Sequence, residues 1–208
     1  MVSCPNLIYS ILDIVRIPEP VLDSKGHLIL HVSDTPSSFY PCFKRLVSRL
    51  MPSWIIHTGD LVDEVKIGLH RRDLDLYRKK LVRIRDIMEE PDGPGNRKVL
   101  VTLGNHDDEE TARTVFSDNT GISSSFSLEI EGLSVNCDHY LANLEGGPST
   151  INLYGHDPSL PAEGEKQGIF LNGLKSINLI TLPQGLIYSL CYPRYVNDHR
   201  QLKRRRSL

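Results

Sequence analysis

The chain lacks the marks of several large protein classes. Its four cysteines (Cys4, Cys42, Cys137 and Cys191) are scattered with no CxxC pair. That argues against a zinc ribbon or a disulfide framework and fits a reducing cytoplasm. No apolar stretch approaches the ~20 residues of a membrane span, so no membrane partner is expected. The start, Met1-Val-Ser-Cys-Pro5, has no basic cluster, and Asp13 and Arg16 interrupt the apolar run that follows, so no signal peptide is read. A net charge of −2 supplies no overall basic field, and bulk nucleic-acid binding is not expected. There is no internal repeat. What is present is ordinary for a globular protein: 208 residues, 39% hydrophobic and 24% charged, enough for one well-buried domain.

Organisation follows from the apolar pattern. Residues 1–26 read as an N-terminal extension. Asn6–Val15 is apolar enough to pack on the domain as an edge strand or a helix, and it breaks at Pro18-Glu-Pro20. A strand is expected from about His27 to Ser33. Ser37-Ser38 then caps a helix to Leu50, with Phe39, Phe43, Leu46, Val47 and Leu50 on one face. A second strand follows Met51-Pro-Ser53. Residues 69–90 form the clearest helix, with Leu74, Tyr77, Leu81, Ile84 and Met88 at 3–4 spacing and the basic residues on its wet face. A third strand starts at Lys98. The β-α-β-α-β order predicts parallel pairing. A short helix is expected over Asp107–Phe116, with its acidic residues near the start where the helix dipole favours them. The second half then breaks into short runs, Ser124–Ile130, Leu133–Cys137, Ile151–Tyr154, Gly168–Leu171, Ser176–Thr181 and Gly185–Leu190, which read as antiparallel strands and hairpins. Residues 27–195 form the domain, and 196–208, with Lys203-Arg-Arg-Arg206, read as a solvated basic tail.

Three short acidic signatures each end an apolar run. Ser33-Asp34 follows Leu28–Val32, Gly59-Asp60-Leu-Val-Asp63 follows Trp54–Thr58, and Gly104-Asn105-His106-Asp107 follows Val99–Leu103. Such runs read as buried parallel strands, and ligands collect outside the carboxyl ends of such strands. Asp34, Asp60, Asn105 and His106 are thereby delivered to one rim. Oxygen ligands with imidazole there suggest a divalent-metal site that handles phosphate. Asp and Asn at strand ends also cap helices, but their ordered recurrence beside Gly59 and Gly104 favours metal. His27, His31, His57, His70 and His199 read as structural. His31 lies three residues before Asp34, so strand alternation turns it away from the Asp34 side.

This order of motifs resembles the calcineurin-like metallophosphoesterase family over residues 27 to about 190, Gly-Asn-His-Asp being its most specific piece. The resemblance implies an α/β fold, an α/β/β/α sandwich of two mixed sheets flanked by helices. It implies that Asp60 bridges two metals and that Asn105 serves the second site through its amide oxygen. His139 in Cys-Asp-His-Tyr and His156 in Tyr-Gly-His-Asp complete that site, and Asp34 serves the first. His106 is expected over the leaving group, donating a proton or stabilising charge. Asp107, grouped with His106 and Asn105 in the catalytic set, is expected with Asp63 to orient the ligating groups.

The sequence departs from the family pattern twice. Asp34-Thr-Pro36 stands where Asp-x-His is expected, and Gly155-His-Asp-Pro158 where Gly-His-x-His is expected. Proline offers no donor atom, so the first site keeps Asp34 and the shared Asp60 alone. Two carboxylates hold zinc or iron poorly and magnesium or manganese weakly. One divalent ion rather than two is therefore expected, as manganese, zinc or iron. The function expected is hydrolysis of a phosphomonoester or phosphodiester, the substrate a phosphorylated small molecule or a nucleotide, by metal-activated water. The alternative is a degenerate member of the same fold acting as a binding or regulatory scaffold.

Overall fold

Three short strands end level with one another, and this sets the frame. β1 (Leu28–Val32), β2 (Trp54–Thr58) and β3 (Lys98–Thr102) pair in parallel, with Val32 opposite His57 and Thr58 opposite Thr102. A computed structural model describes residues 15–67, 73–90, 97–162 and 164–200. Among them the first sheet is completed by β4 (Thr120–Ser123), parallel to β3, by β9 (Ser176–Thr181), antiparallel to β1, and by β10 (Ile187–Cys191), giving the order β10-β9-β1-β2-β3-β4. A second sheet has the order β5-β6-β7-β8: β5 (Ser125–Ile130), β6 (Leu133–Asp138), β7 (Ile151–Tyr154) and β8 (Ile169–Asn172). The two mixed sheets are flanked by helices, as expected. No helix among the described residues is long and apolar enough to cross a membrane.

Strand alternation sorts the side chains into two cores. Leu28, Leu30 and Val32 of β1, Ile55 of β2, and Val99 and Val101 of β3 face the helices. There they meet α1 (Glu19–Asp23), α2 (Tyr40–Leu50), α3 (Leu74–Met88), α4 (Glu109–Val115) and α5 (Arg194–His199), through residues such as Val21, Phe43, Tyr77, Leu81, Ala112 and Val196. The opposite faces, with Ile29, Ile56 and Ile180, pack on Val135, Cys137, Ile151 and Leu153 of the second sheet. Both faces of the central strands are covered, which is why they read as unbroken apolar runs.

Several expectations need correction. The strands of the second sheet are not all antiparallel. β5 and β6 form a hairpin, with Ile130 opposite Leu133 across Glu131-Gly132, both at positive φ, but β6, β7 and β8 run parallel. Their short length and the turn residues between them do not encode direction. The edge strand β4 carries no sequence signal, because Thr-Gly-Ile-Ser has no apolar run. Ser37 and Ser38 do not cap the helix; they lie in a 3-10 turn (Ser37–Phe39), and the Ser37 amide donates to Glu64 Oε1 at 3.0 Å. The long helix spans Leu74–Met88, residues 68–72 lying outside the described set. The short helix begins at Glu109, where Asp108 Oδ1 accepts from the Thr111 amide at 2.8 Å. Residues 196–200 are not tail: Val196 and Arg200 are buried. The run 6–14 and Lys203–Arg206 lie outside the described residues.

His31 is structural, but it faces the second sheet rather than away from the rim side. It joins a polar chain across four strands. Its Nε2 meets Thr58 Oγ1 on β2 at 2.9 Å and its Nδ1 meets Asn178 Nδ2 on β9 at 3.1 Å, while Asn178 Oδ1 accepts from Ser189 Oγ on β10 at 2.8 Å. The Asn178 amide donates, so the ring must accept there and stay neutral. Burial lowers the His31 pKa from 6.5 to about 3. The unfolded chain therefore takes up a proton that the folded chain refuses as pH falls from 6.5 toward 3, and stability falls with it, by up to about 1.4 kcal/mol per pH unit. Denaturant unfolding at pH 7 and pH 5 should show this loss in the wild type and a smaller loss in His31→Asn; equal losses would exclude His31 as the source.

Candidate metal centre

Each candidate ligand sits just past a strand end. Asp34 follows β1, Asp60 follows β2, Asn105 follows β3, His139 follows β6 and His156 follows β7. The loops after β1 and β2 stay zipped beyond the strands: the Asp34 amide donates to the Gly59 carbonyl at 2.9 Å and the Thr35 amide to the Asp60 carbonyl at 3.0 Å. Asp34, Asp60 and His156 have φ of 50°, 53° and 67°. Left-handed backbone at a non-glycine residue is strained, and here it recurs at three candidate ligands. Gly104 leaves room for the second loop, since a Cβ there would stand 2.2 Å from Asp60 Oδ1.

The side-chain atoms converge. His139 Nε2 lies 3.8 Å from Asp60 Oδ2, 3.3 Å from Asn105 Oδ1 and 3.3 Å from His156 Nδ1, and Asn105 Oδ1 lies 3.1 Å from His156 Nδ1. Ligands held about 2.0–2.1 Å from a tetrahedral cation stand about 3.3–3.4 Å from one another, so the donor set fits one transition-metal ion. The tautomer fits too. His139 Nδ1 is 2.7 Å from the Thr58 carbonyl and must donate to it, which leaves the Nε2 lone pair facing the cluster. Asp34, Asp60 and His139 form a group able to hold a metal ion, with ligand atoms within 4.8 Å of one another.

The Asp34 side is poorer in donors. Ser33 Oγ donates to Asp34 Oδ2 at 2.6 Å and the His156 amide at 3.2 Å, and neither brings a further ligand. Pro36 is buried at the head of the 3-10 turn and Pro158 is exposed. Asp157 turns its carboxylate to the Ser159 amide at 2.7 Å.

Electrostatics point the same way. Burial, then the nearby Asp107 and Asp34 carboxylates, pushes the Asp60 carboxyl up to about 9. A cation is what would restore its charge at neutral pH. Burial raises Asp63 to about 6 even with the Lys66 ammonium 3.2 Å away. Burial and then the Lys66 charge lower His106 to about 4, so its imidazole is neutral. Asn105 Nδ2 donates to His106 Nε2 at 2.9 Å, and His106 Nδ1 is buried without a hydrogen-bond partner.

Comparison with known proteins decides the family. The family model described as calcineurin-like phosphoesterase matches residues 27–206. The chain belongs to the calcineurin-like phosphoesterase family. Among solved structures it resembles an archaeal phosphodiesterase at 18% identity, covering 79% of this chain and 99% of that one with a TM-score of 0.51. The Escherichia coli phosphoesterase YfcE matches at 17% identity, covering 80% and 99%, with a TM-score of 0.48. A vacuolar protein sorting 29 from Cryptosporidium parvum matches at 14% identity, covering 79% and 95%, with a TM-score of 0.38. At such identities the likeness describes the fold. No curated protein sequence matches.

Within this calcineurin-like phosphoesterase, Asp107 is fully engaged by the protein. Its carboxylate accepts from the amides of Asp60 (2.8 Å), Leu61 (2.9 Å) and Gly104 (2.9 Å) and from the Tyr77 hydroxyl (3.0 Å). It staples the Gly-Asp loop to the Gly-Asn-His loop, and so orients Asp60 and Asn105. Sequence reasoning missed three contributors. The Thr58 carbonyl is backbone and carries no signal. Lys66 lies one turn past Asp63. Arg200 was hidden in the basic end of the chain. Asp107→Asn places an amide N–H against backbone N–H groups, and should cost about 2 kcal/mol in urea unfolding and weaken manganese binding. Wild-type stability and affinity in that variant would show that the staple is dispensable.

Proposed function

We propose that this protein is a mononuclear metal-dependent phosphoesterase acting on a small phosphomonoester or phosphodiester. The observation that carries the reading is the convergence of Asp60 Oδ2, Asn105 Oδ1 and His156 Nδ1 on His139 Nε2, at 3.8, 3.3 and 3.3 Å, with the His139 proton turned away. These four side chains would hold one ion, manganese, zinc or iron, with Asp34 at its edge. When bound, such an ion supplies Lewis acidity at phosphoryl oxygens and acidifies water. The chain's own residues do the rest. Asn105 would help grip a phosphoryl oxygen at this rim, and the Lys66 ammonium, paired with Asp63, adds positive charge nearby. His106, neutral and half-buried, would exchange its Nε2 contact with Asn105 for a hydrogen bond donated to the leaving oxygen, while water enters opposite it. The neutral ring favours charge stabilisation over outright proton donation.

Next to His139 in the chain, Tyr140 borders a cleft of about 520 Å³ that none of the candidate ligands lines; it has room for a small substrate group. Tyr140 lines it and packs tilted against the His156 ring, centroids 4.5 Å apart, while Asp138 and Glu145 also line it without lysine or arginine. A neutral or cationic alcohol suits that wall better than a polyphosphate or a nucleic acid. The alternative, a scaffold with a lapsed site, is favoured by Pro36 and Pro158 and opposed by the intact donor set.

Protein loaded with manganese or zinc should retain about one ion per chain, and Asp60→Asn or His139→Ala should lose it. Metal analysis that finds none in the loaded wild type would leave the scaffold reading. Manganese-loaded protein should hydrolyse an aryl phosphate or a bis-aryl phosphodiester, with kcat falling by about 10²-fold in His106→Ala at unchanged metal content. A His106→Ala protein as fast as the wild type would remove His106 from the reaction.

A further inference from the structure

The far end of the described chain reaches back under the metal centre. Arg200, just past α5, is 3% exposed. Its Nε donates to the Asp34 carbonyl at 2.7 Å, its Nη2 to the Ser33 carbonyl at 2.8 Å and its Nη1 to the Leu174 carbonyl at 2.6 Å. The guanidinium carbon sits 4.0 Å from the Tyr192 ring centroid. The two loop carbonyls are informative. The Ser33 carbonyl belongs to the peptide before Asp34 and the Asp34 carbonyl to the peptide after it. One rigid planar fork therefore holds both peptide planes that define Asp34 φ and ψ. Asp34 is held at φ 50°, where a residue other than glycine needs such support. Its Oδ2 in turn receives the His156 amide at 3.2 Å, so the clamp bears on two candidate ligands.

We infer that Arg200 is a positioning residue for the metal centre: by clamping the carbonyls on either side of Asp34 it aims that carboxylate, and so couples docking of α5 to divalent-metal affinity. The inference rests on the proposed one-ion site of Asp60, Asn105, His139 and His156, with the Asp34 carboxylate at its edge. A lysine would not replace the arginine, because a single ammonium cannot hold three carbonyls in one plane. Coupling is reciprocal, so a bound ion should also steady α5.

The test uses the full chain with manganese alone as the probe. Arg200→Met and Arg200→Lys should both weaken manganese binding by about 10-fold or more in calorimetry, the range usual for groups that orient ligands. Val196→Ala, buried on the same helix without a hydrogen bond to the Asp34 loop, should lower the melting temperature and leave affinity within about twofold. Arg200 variants that bind manganese as tightly as the wild type would mean that Arg200 only docks the helix. If neither Arg200 variant melts cooperatively, amide exchange in the wild type decides. Manganese should slow exchange over residues 194–200 more than over α3, and equal slowing would overturn the coupling. A wild type that takes up no manganese would overturn the metal reading and the clamp together.

Discussion

Lone pairs repel, and this centre gathers them. Asp60, Asn105, His139 and His156 aim oxygen or nitrogen lone pairs into one small volume, and the Thr58 carbonyl takes the single imidazole proton of His139 that would otherwise have softened the encounter. A positive charge among them would reconcile the arrangement; without one, a proton on His156 Nδ1, 3.1 Å from Asn105 Oδ1, relieves part of it. Much of the surrounding structure can be understood as keeping those groups together without one: a carboxyl that is protonated up to about 9, three left-handed residues and loops stapled by a neighbouring carboxylate.

The architecture meets this constraint by using strand ends from two sheets. β1, β2 and β3 stop level and hand over short loops. β6 and β7, because they run parallel, also stop level and hand over His139 and His156. Neither sheet alone has the donors. Rigid strands fix where each loop begins, and a few polar contacts fix where it ends: Asp107 ties two loops from the side, and Arg200 ties the third from below.

The lopsided donor set gives the site its character. Imidazole gathers on the Asp60–Asn105 side, while the Asp34 loop brings its carboxylate and the buried Pro36, which has no donor atom. Family membership accounts for the fold that carries the rim. It does not account for this asymmetry, which belongs to this chain and underlies the reading of one ion rather than two.

Much of this was legible in the chain. Apolar runs ending in Ser-Asp, Gly-Asp and Gly-Asn-His-Asp announced parallel strands with ligands at their carboxyl ends, since burial on both faces demands unbroken apolar sequence and polar groups survive only where the strand stops. Asp34, Asp60 and His139, named from those runs and from the family resemblance, are brought within coordinating reach. The direction of β7 was not legible, because four residues flanked by turns pair equally well either way; only the packing of the second sheet chose parallel and put His156 beside His139 rather than at the opposite edge. Arg200 was equally silent. By itself the sequence determined which atoms can bind a cation and where strands must end. The tertiary structure alone decided which distant backbone carbonyls a buried guanidinium would hold, because that choice depends on packing contacts between residues 34 and 200, and no local pattern records them.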